Sequence, residues 1–197
     1  MVHGPAYKVD YRRKRAGLTN YKKRLKLLTS EKPRLVVRKS NNATQCQIVQ
    51  YSADGDRTIV SASSLDLKKY GFKGHAGSLP AAYLTGMMCG LKAKKQKVTE
   101  AILDTGLYRS TPGSRIYAAV KGAIDSGLKV PIDESMLPQE RRLQGYHIAD
   151  YAKLIKAKAP EQYEKQFSKM LTAKFEPEQM VEHFQEAKKR IVGEFAR

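Results

Sequence analysis

Cationic side chains interleaved with tyrosines are the first chemistry visible in this chain. The densest stretch runs Tyr11, Arg12, Arg13, Lys14, Arg15 and then Tyr21, Lys22, Lys23, Arg24, with Tyr7 upstream and Gly17-Leu18-Thr19 punctuating the middle. Lysine and arginine neutralise phosphates and release counterions, while a tyrosine ring offers a flat face to an unstacked base. Together they fit structured RNA better than duplex DNA. The bland alternative is a solvated tail that keeps the chain in solution, and the tyrosines and turn residues argue against it.

Further candidates follow along the chain. Arg38, Lys39, Ser40, Asn41 and Asn42 extend the positive strip onto a strand and turn, where Arg and Asn can meet phosphates and base edges. An edge strand protected by charge is the other reading of the same residues. The run Ser61, Ala62, Ser63, Ser64 is small enough to let a backbone approach either RNA or a packed helix, and the sequence leaves both open. Lys68, Lys69, Gly71, Lys73, Gly74, His75 and Gly77 read as a flexible, basic, RNA-facing loop. It lacks the Gly-Lys-Ser/Thr ending that a phosphate-cradling P-loop requires. Gly113-Ser114-Arg115 sits where a helix begins, so its free N–H groups can attract phosphate. Simple capping by Ser114, with Arg115 in solvent, explains it equally well.

Enzyme chemistry is poorly represented. The four histidines and two cysteines show no metal-ligand spacing, and no Gly-x-Ser-x-Gly elbow is present. Asp54, Asp56, Asp104 and Asp125 are the residues from which a two-metal nuclease site would have to be built. Asp54 and Asp56 already have a turn to make, and Asp125 sits near a helix end. Asp104→Ala and Asp125→Ala are therefore expected to leave RNA binding within a few-fold. No cofactor and no small-molecule substrate are expected.

The charge distribution says which parts meet a polyanion. The first 39 residues carry 13 Lys or Arg against two acids, a net +11 of the chain's +18. Residues 40–130 add +6 and residues 131–197 only +1. An arm so charged repels itself and cannot bury a core, so alone it is expected to be disordered and to become ordered on a polyanion. No apolar run approaches the ~20 residues of a membrane span. No apolar stretch follows the N-terminal charge as a secretory signal demands, and the arm lacks the amphipathic spacing of a transit peptide. Cys46 and Cys89 form no Cys-x-x-Cys pair, which suits a reducing cytosol.

These residues must be positioned by a recognisable order of elements. Residues 34–40, 44–52 and 58–64 read as an antiparallel meander, with Cys46 and Ile48 facing one way and Gln45 and Gln47 the other. The alternation becomes imperfect after Ile48. A helix starts at Ser78 or Leu79 with Pro80 in its first turn and runs to the Lys92–Lys97 cluster. Val98 to Asp104 reads as a short strand, and a second helix starts near Gly113-Ser114, carries Ile116, Val120 and Ile124 on one side, and stops at Gly127. This order predicts an α/β fold with a mixed sheet: an antiparallel meander, then strand–helix–strand–helix, flanked by an extended basic arm and C-terminal helices. Beyond Pro138 the pattern is helical. Ile148, Tyr151, Leu154 and Ile155 form one apolar stripe. Pro160 opens a helix with Tyr163, Phe167, Met170 and Leu171, and Pro177 opens another with Met180, Phe184, Ala187, Ile191 and Phe195.

Several motifs are long and ordered enough to carry a family resemblance. They include Tyr11-Arg12-Arg13-Lys14-Arg15-Ala16-Gly17-Leu18-Thr19-Asn20-Tyr21, then Lys32-Pro33-Arg34-Leu35-Val36-Val37-Arg38-Lys39-Ser40-Asn41. Ala81-Ala82-Tyr83-Leu84-Thr85-Gly86, Leu103-Asp104-Thr105-Gly106-Leu107 and Thr111-Pro112-Gly113-Ser114-Arg115 follow in order. The chain resembles the large-subunit ribosomal proteins that bind 5S rRNA, the universal eighteenth protein of that subunit. His147-Ile148-Ala149-Asp150-Tyr151 and Tyr163-Glu164-Lys165-Gln166-Phe167 are similar to the archaeal and eukaryotic form rather than the shorter bacterial one. The resemblance implies a cytoplasmic, ribosome-bound protein of the central protuberance. It implies contact with 5S rRNA, large-subunit rRNA and neighbouring ribosomal proteins, with no catalysis and no membrane. Its RNA-binding regions fall here on the arm from Tyr7 to Arg24, including Lys8 and Thr19, on Arg34 to Asn42, and on Lys68 to His75. The segment between Gly90 and Thr99 is compact compared with the eukaryotic form, and its Lys92–Lys97 cluster faces either rRNA or solvent.

Three segments are expected: a basic RNA-binding arm over residues 1–33, an α/β 5S rRNA-binding core over 34–131, and a helical extension over 132–197. An alternative function sharing the arm is a free RNA chaperone or regulator that does not reside on the ribosome. Deleting residues 1–24 should weaken 5S rRNA binding steeply and flatten the dependence of log affinity on log salt, because the counterion-releasing charges go with it. A salt titration of the truncated and full chains checks this, and an unchanged slope would sink it.

Overall fold

The computed structural model describes residues 8–195, which leaves Tyr7 outside. The strands β1 (Arg34–Lys39), β2 (Thr44–Gln50), β3 (Arg57–Ser63) and β4 (Ile102–Asp104) form a single sheet in the order β3-β2-β1-β4. The first three are antiparallel neighbours, and β4 lies parallel to β1. The chain therefore adopts the expected α/β fold with a mixed sheet. Register slips by one residue between Ile48 and Val49, where the sequence alternation falters. Ile48 pairs with Val60 and Val49 with Thr58, so the extra residue of this bulge is Ile59 on β3. Ordinary alternation turns Ile48 into the core and Val49, also buried, to the other side of the sheet.

Two short helices, α1 (Arg12–Arg15) and α2 (Tyr21–Leu28), precede the sheet, so the described part of the arm is not wholly extended. Neither buries a residue completely. Local capping contributes to α2, because Asn20 accepts a hydrogen bond from the Lys23 N–H at 3.0 Å.

One face of the sheet is covered by α3 (Leu79–Lys95) and α4 (Arg115–Asp125). Ser78 caps α3 by accepting from the Ala81 N–H, and Pro80 sits in the first turn as expected. The two helices touch through glycine. A Cβ built on Gly86 would lie 1.8 Å from the Ala119 carbonyl oxygen, and one on Gly122 would lie 2.0 Å from that of Tyr83. Leu35, Val37, Cys46, Ile48, Val60 and Ala62 complete this core from the sheet.

The helices α5 (Glu140–Leu143), α6 (Tyr146–Lys158), α7 (Pro160–Thr172) and α8 (Met180–Phe195) follow. The helix α8 returns to the main core with Met180, Phe184, Ala187 and Ile191, and the rings of Phe184 and Tyr83 lie 5.6 Å apart. A satellite cluster of Ala152, Ile155, Tyr163 and Phe167 joins α6 to α7. The expected α6 stripe is corrected here: Tyr151 and Leu154 are 48% and 50% exposed. The buried seam is Ala149, Ala152 and Ile155, because small side chains allow the closer packing. The glycine loop expected over residues 68–77 is corrected at its start only: Lys68 to Tyr70 close a short helix, and residues 71–77 form the loop. Ser64–Tyr70 is a 3₁₀ helix, capped by Ser63 and closed by Gly71 at φ +81°, and Leu67, Tyr70 and Phe72 anchor it in the core. No helix among the described residues is long and apolar enough to cross a membrane.

Gly86→Ala and Gly122→Ala should each destabilise the fold by about 2 kcal/mol or more, since a methyl must push two packed backbones apart. Gly193 in α8 meets nothing among the described residues within 4 Å, so Gly193→Ala should instead stabilise by up to ~1 kcal/mol through helix propensity. Thermal or urea unfolding of the three variants checks the opposite signs.

Candidate nucleic-acid interface

The sheet face away from α3 and α4 is polar, and the register dictates which residues share it. Arg34, Val36 and Arg38 of β1 stand opposite Val49, Gln47 and Gln45 of β2. Gln47 and Gln45 stand in turn opposite Ser61 and Ser63 of β3. This divides the small-residue run. Ala62 packs beneath the helices and Ser64 is buried, its Oγ accepting from the Thr44 N–H. Ser61 is exposed on the open face, and Ser63 accepts from the Leu65 N–H.

A buried cation organises this face. The Arg34 side chain is 4% exposed, with Asp56 at 2.6 Å on one nitrogen and Asp104 at 3.0 Å on the other. Each carboxylate recruits a second arginine. Arg24 of α2 meets Asp56 at 2.9 Å, and Arg38 meets Asp104 at 3.3 Å. Arg38 also donates to the Asp104 carbonyl at 2.8 Å, and the Gly106 N–H donates to the Asp104 carboxylate at 2.7 Å. Burial pushes the Asp104 carboxyl up, but the Gly106 N–H and the Arg38 and Arg34 guanidiniums outweigh it and hold the group below the usual carboxylate range.

The arm is fastened to this network. Lys23 donates to Thr105 Oγ1 at 2.7 Å and to the Gly106 carbonyl at 3.1 Å. Upstream, Arg13 donates to Thr19 Oγ1 at 2.9 Å across the turn at Gly17. The Tyr11 and Tyr21 rings lie 5.0 Å apart at 40°. Lys14 pairs with Asp10 at 2.6 Å. Lys8, Arg12, Arg15 and Lys22 are exposed.

The β1–β2 turn adjoins the same network. Tyr108 donates to the Lys39 carbonyl at 2.6 Å, and the Lys39 ammonium sits 5.5 Å from the Tyr108 ring centre. Arg115 donates to the carbonyls of Ser40 at 2.9 Å and Gly77 at 2.8 Å, tying the turn to the segment that carries His75. Only glycine fits at 77, because a Cβ there would lie 2.3 Å from the Asn41 carbonyl oxygen. Asn41, Asn42, Lys68, Lys69, Lys73 and His75 remain exposed. Lys92 donates to the Ser61 carbonyl at 2.9 Å, and Lys94 and Lys97 are exposed.

Three expectations change in this setting. Arg34, expected as an RNA contact, is buried and engaged by two carboxylates, so its place is inside the scaffold. Among the described residues Ser114 makes no cap hydrogen bond and its buried Oγ has no partner, while Arg115 is engaged by carbonyls and not free in solvent. Asp104 carries a task inside the scaffold, since it neutralises a buried arginine. Asp125 lies elsewhere, accepting from the Tyr83 hydroxyl at 2.8 Å and pairing with Lys121. Among the described residues, no group of three or more His, Cys, Asp or Glu is placed to hold a metal ion. The sequence reading passed over Gln45, Gln47, Thr58 and Tyr108 as site residues, although the alternation of Gln45 and Gln47 with Cys46 and Ile48 put both glutamines on this face.

A polar, arginine-rich sheet face joined to a tyrosine-bearing basic arm agrees with the comparison to known families. The family described as "Ribosomal large subunit proteins 60S L5, and 50S L18" matches residues 5–100 and 90–133. The chain belongs to this family. It is a large-subunit ribosomal protein, an rRNA-associated component of a ribonucleoprotein that works in translation, and its family is structural rather than enzymatic. The matched span takes in the arm from residue 5, the whole sheet, α3 and α4, whereas α5 to α8 lie beyond it.

Asp104→Asn should cost about 3 kcal/mol at pH 7, because it leaves buried Arg34 short of a carboxylate. Folding lowers the Asp104 pKa, so the carboxylate's contribution is full above the ordinary range near 3.8 and is lost as pH falls through the lowered value. Denaturant unfolding from pH 7 to pH 2 should show the gap between wild type and variant closing only below about pH 4.

Proposed function

We propose that this ribosomal protein binds 5S rRNA and fastens it to large-subunit rRNA in the central protuberance, as part of a cytoplasmic ribosome of archaeal type. The observation that carries the reading is continuity. One path of contacts runs from Lys23 in the arm to Gly106, through Arg38 and Asp104, and on to Tyr108, Lys39 and the turn that Arg115 holds. Residues separated along the chain thus form one surface long enough to follow a folded RNA, whose shape is the main thing a protein reads.

On this reading the arm over residues 1–33 supplies salt-sensitive attraction, through Tyr7, Lys8, Arg12, Arg13, Arg15 and Lys22 and the paired rings of Tyr11 and Tyr21. The core over 34–131 supplies fixed shape through Arg38, Lys39, Ser40, Asn41, Asn42, Ser61 and Ser63, with Lys68, Lys69, Lys73 and His75 at its edge. The near-neutral extension over 132–197 faces protein neighbours. Arg34 and Arg115 act from within, by holding the surface in place.

Binding to 5S rRNA, competed with tRNA and an unrelated structured RNA at two salt concentrations, tests the proposal. Selective binding that survives the higher salt is expected, and Lys39→Ala combined with Asn41→Ala should weaken it about tenfold. Equal binding to all three RNAs, lost at the higher salt, overturns the proposal in favour of a free RNA chaperone. Co-sedimentation with large subunits through a high-salt gradient separates the two readings a second time.

A further inference from the structure

The arm does not lie flush on the sheet. Between α2 and the open face is a cleft of about 610 Å³, within the range of small-ligand sites, roughly 300–1,000 Å³. Two kinds of surface line it. Leu18, Leu27, Val36, Val49, Leu107 and Tyr108 make it apolar. Five cations, Arg13, Lys23, Arg24, Arg34 and Arg38, against Asp56 and Asp104 leave it three charges positive. Leu18 and Leu107 are 57% and 58% exposed, so large apolar side chains stand open to water beside concentrated charge. That combination asks for a partner. Arg34, a lining residue, has a buried Nε–H without an acceptor among the described residues, and Asn20, Gln47 and Thr58 add polar groups able to meet a base edge.

We propose that this cleft takes a single extruded nucleotide of the bound RNA, with its base between the apolar walls and its phosphate toward the arm's arginines. The chemistry selects this ligand class. A flat, largely apolar body bearing an anion matches a cavity with an apolar wall and a cationic one. A free phosphate leaves the apolar wall unused, and an apolar ligand leaves the charge unused. In keeping with a cleft beneath it, α2 is held through the ends of Lys23 and Arg24 on Thr105, Gly106 and Asp56, and it buries no residue completely. This inference rests on the RNA-binding reading above.

The test has two arms. The full chain is titrated with the four ribonucleoside 5′-monophosphates, ribose 5-phosphate and inorganic phosphate, and the methyl resonances of Leu27, Val36 and Val49 are followed. At least one monophosphate should shift these methyls saturably, while ribose 5-phosphate and phosphate should not. If ribose 5-phosphate reproduces the shifts, or no monophosphate produces them, the proposal is overturned. In the second arm Thr58→Trp fills the cleft from an exposed position on β3 opposite Val49, with thermal melting as the check on folding. It should abolish monophosphate binding and weaken 5S rRNA binding about tenfold, the loss expected of one stacked base. A folded Thr58→Trp protein that binds 5S rRNA like wild type overturns the cleft and leaves the rRNA reading standing. If the unaltered chain fails to select 5S rRNA, that reading falls, and the monophosphate titration still decides the cleft.

Discussion

Everything on the open side of the sheet depends on one buried charge. Arg34 sits in the first position of β1 at 4% side-chain exposure, where an unpaired guanidinium would cost several kcal/mol. Asp56 from the β2–β3 turn and Asp104 from the end of β4 neutralise it, and each carboxylate has oxygen left for another donor. Arg24 and Arg38 take those positions, so a two-fold charge satisfaction becomes a four-element joint of arm, central strand, turn and edge strand. Gly106 closes it. Its N–H reaches the Asp104 carboxylate from a left-handed backbone at φ +58°, and a side chain there would lie 2.9 Å from the Arg38 guanidinium.

The two faces of the sheet meet opposite constraints. The helical face is apolar and closely packed, with glycines letting α3 and α4 approach to backbone contact, and it supplies the stability of the domain. The open face gathers like charges that repel each other until a polyanion arrives. Strand alternation links the two, because it turns the adjacent apolar residues Ile48 and Val49 to opposite sides and lets β2 serve both. The rigid layer behind β1 and β2 therefore keeps the cationic layer in front at fixed spacing.

Much of this was legible in the sequence, because it rests on local or periodic signals. The three meander strands, the capped start of α3 at Ser78 with Pro80, the Pro-opened helix α7 and the 3₁₀ turn at Pro177 that leads into α8 all follow from patterns a few residues long. The fault in alternation after Ile48 marks Val49, an apolar residue on the polar face, whereas the bulge itself falls at Ile59 on β3. What the sequence did not show were relations without a period. Arg34 finds Asp56 and Asp104 across 22 and 70 residues, and nothing local marks Asp104 as its partner. The stripe on α6 misled because apolar side chains occur on two of its faces, and packing selected the alanines. Lys68–Tyr70 read as the start of a loop because the two lysines and the glycines that follow mask Leu67, Tyr70 and Phe72, the residues that anchor the 3₁₀ turn.

The arrangement separates the cations into two populations with different physical roles. Lys23, Arg24, Arg34, Arg38 and Arg115 are engaged by protein carboxylates, hydroxyls or carbonyls, so they fix geometry and release few counterions when RNA binds. Lys8, Arg12, Arg15, Lys22, Lys68, Lys69 and Lys73 are exposed, so their hydration and counterions are what binding exchanges. With only two acids in the first 39 residues, the arm cannot neutralise itself. It borrows Asp56 for Arg24 and Glu100 for Lys32, and with the Lys23 hydrogen bonds these pairs bring the arm to the sheet while most of its charge stays outward. A fully paired arm would be rigid and indifferent to RNA, and an unpaired one would have to be ordered entirely at RNA's expense. Partial pairing lowers the ordering entropy left for binding while sparing the charges that drive it.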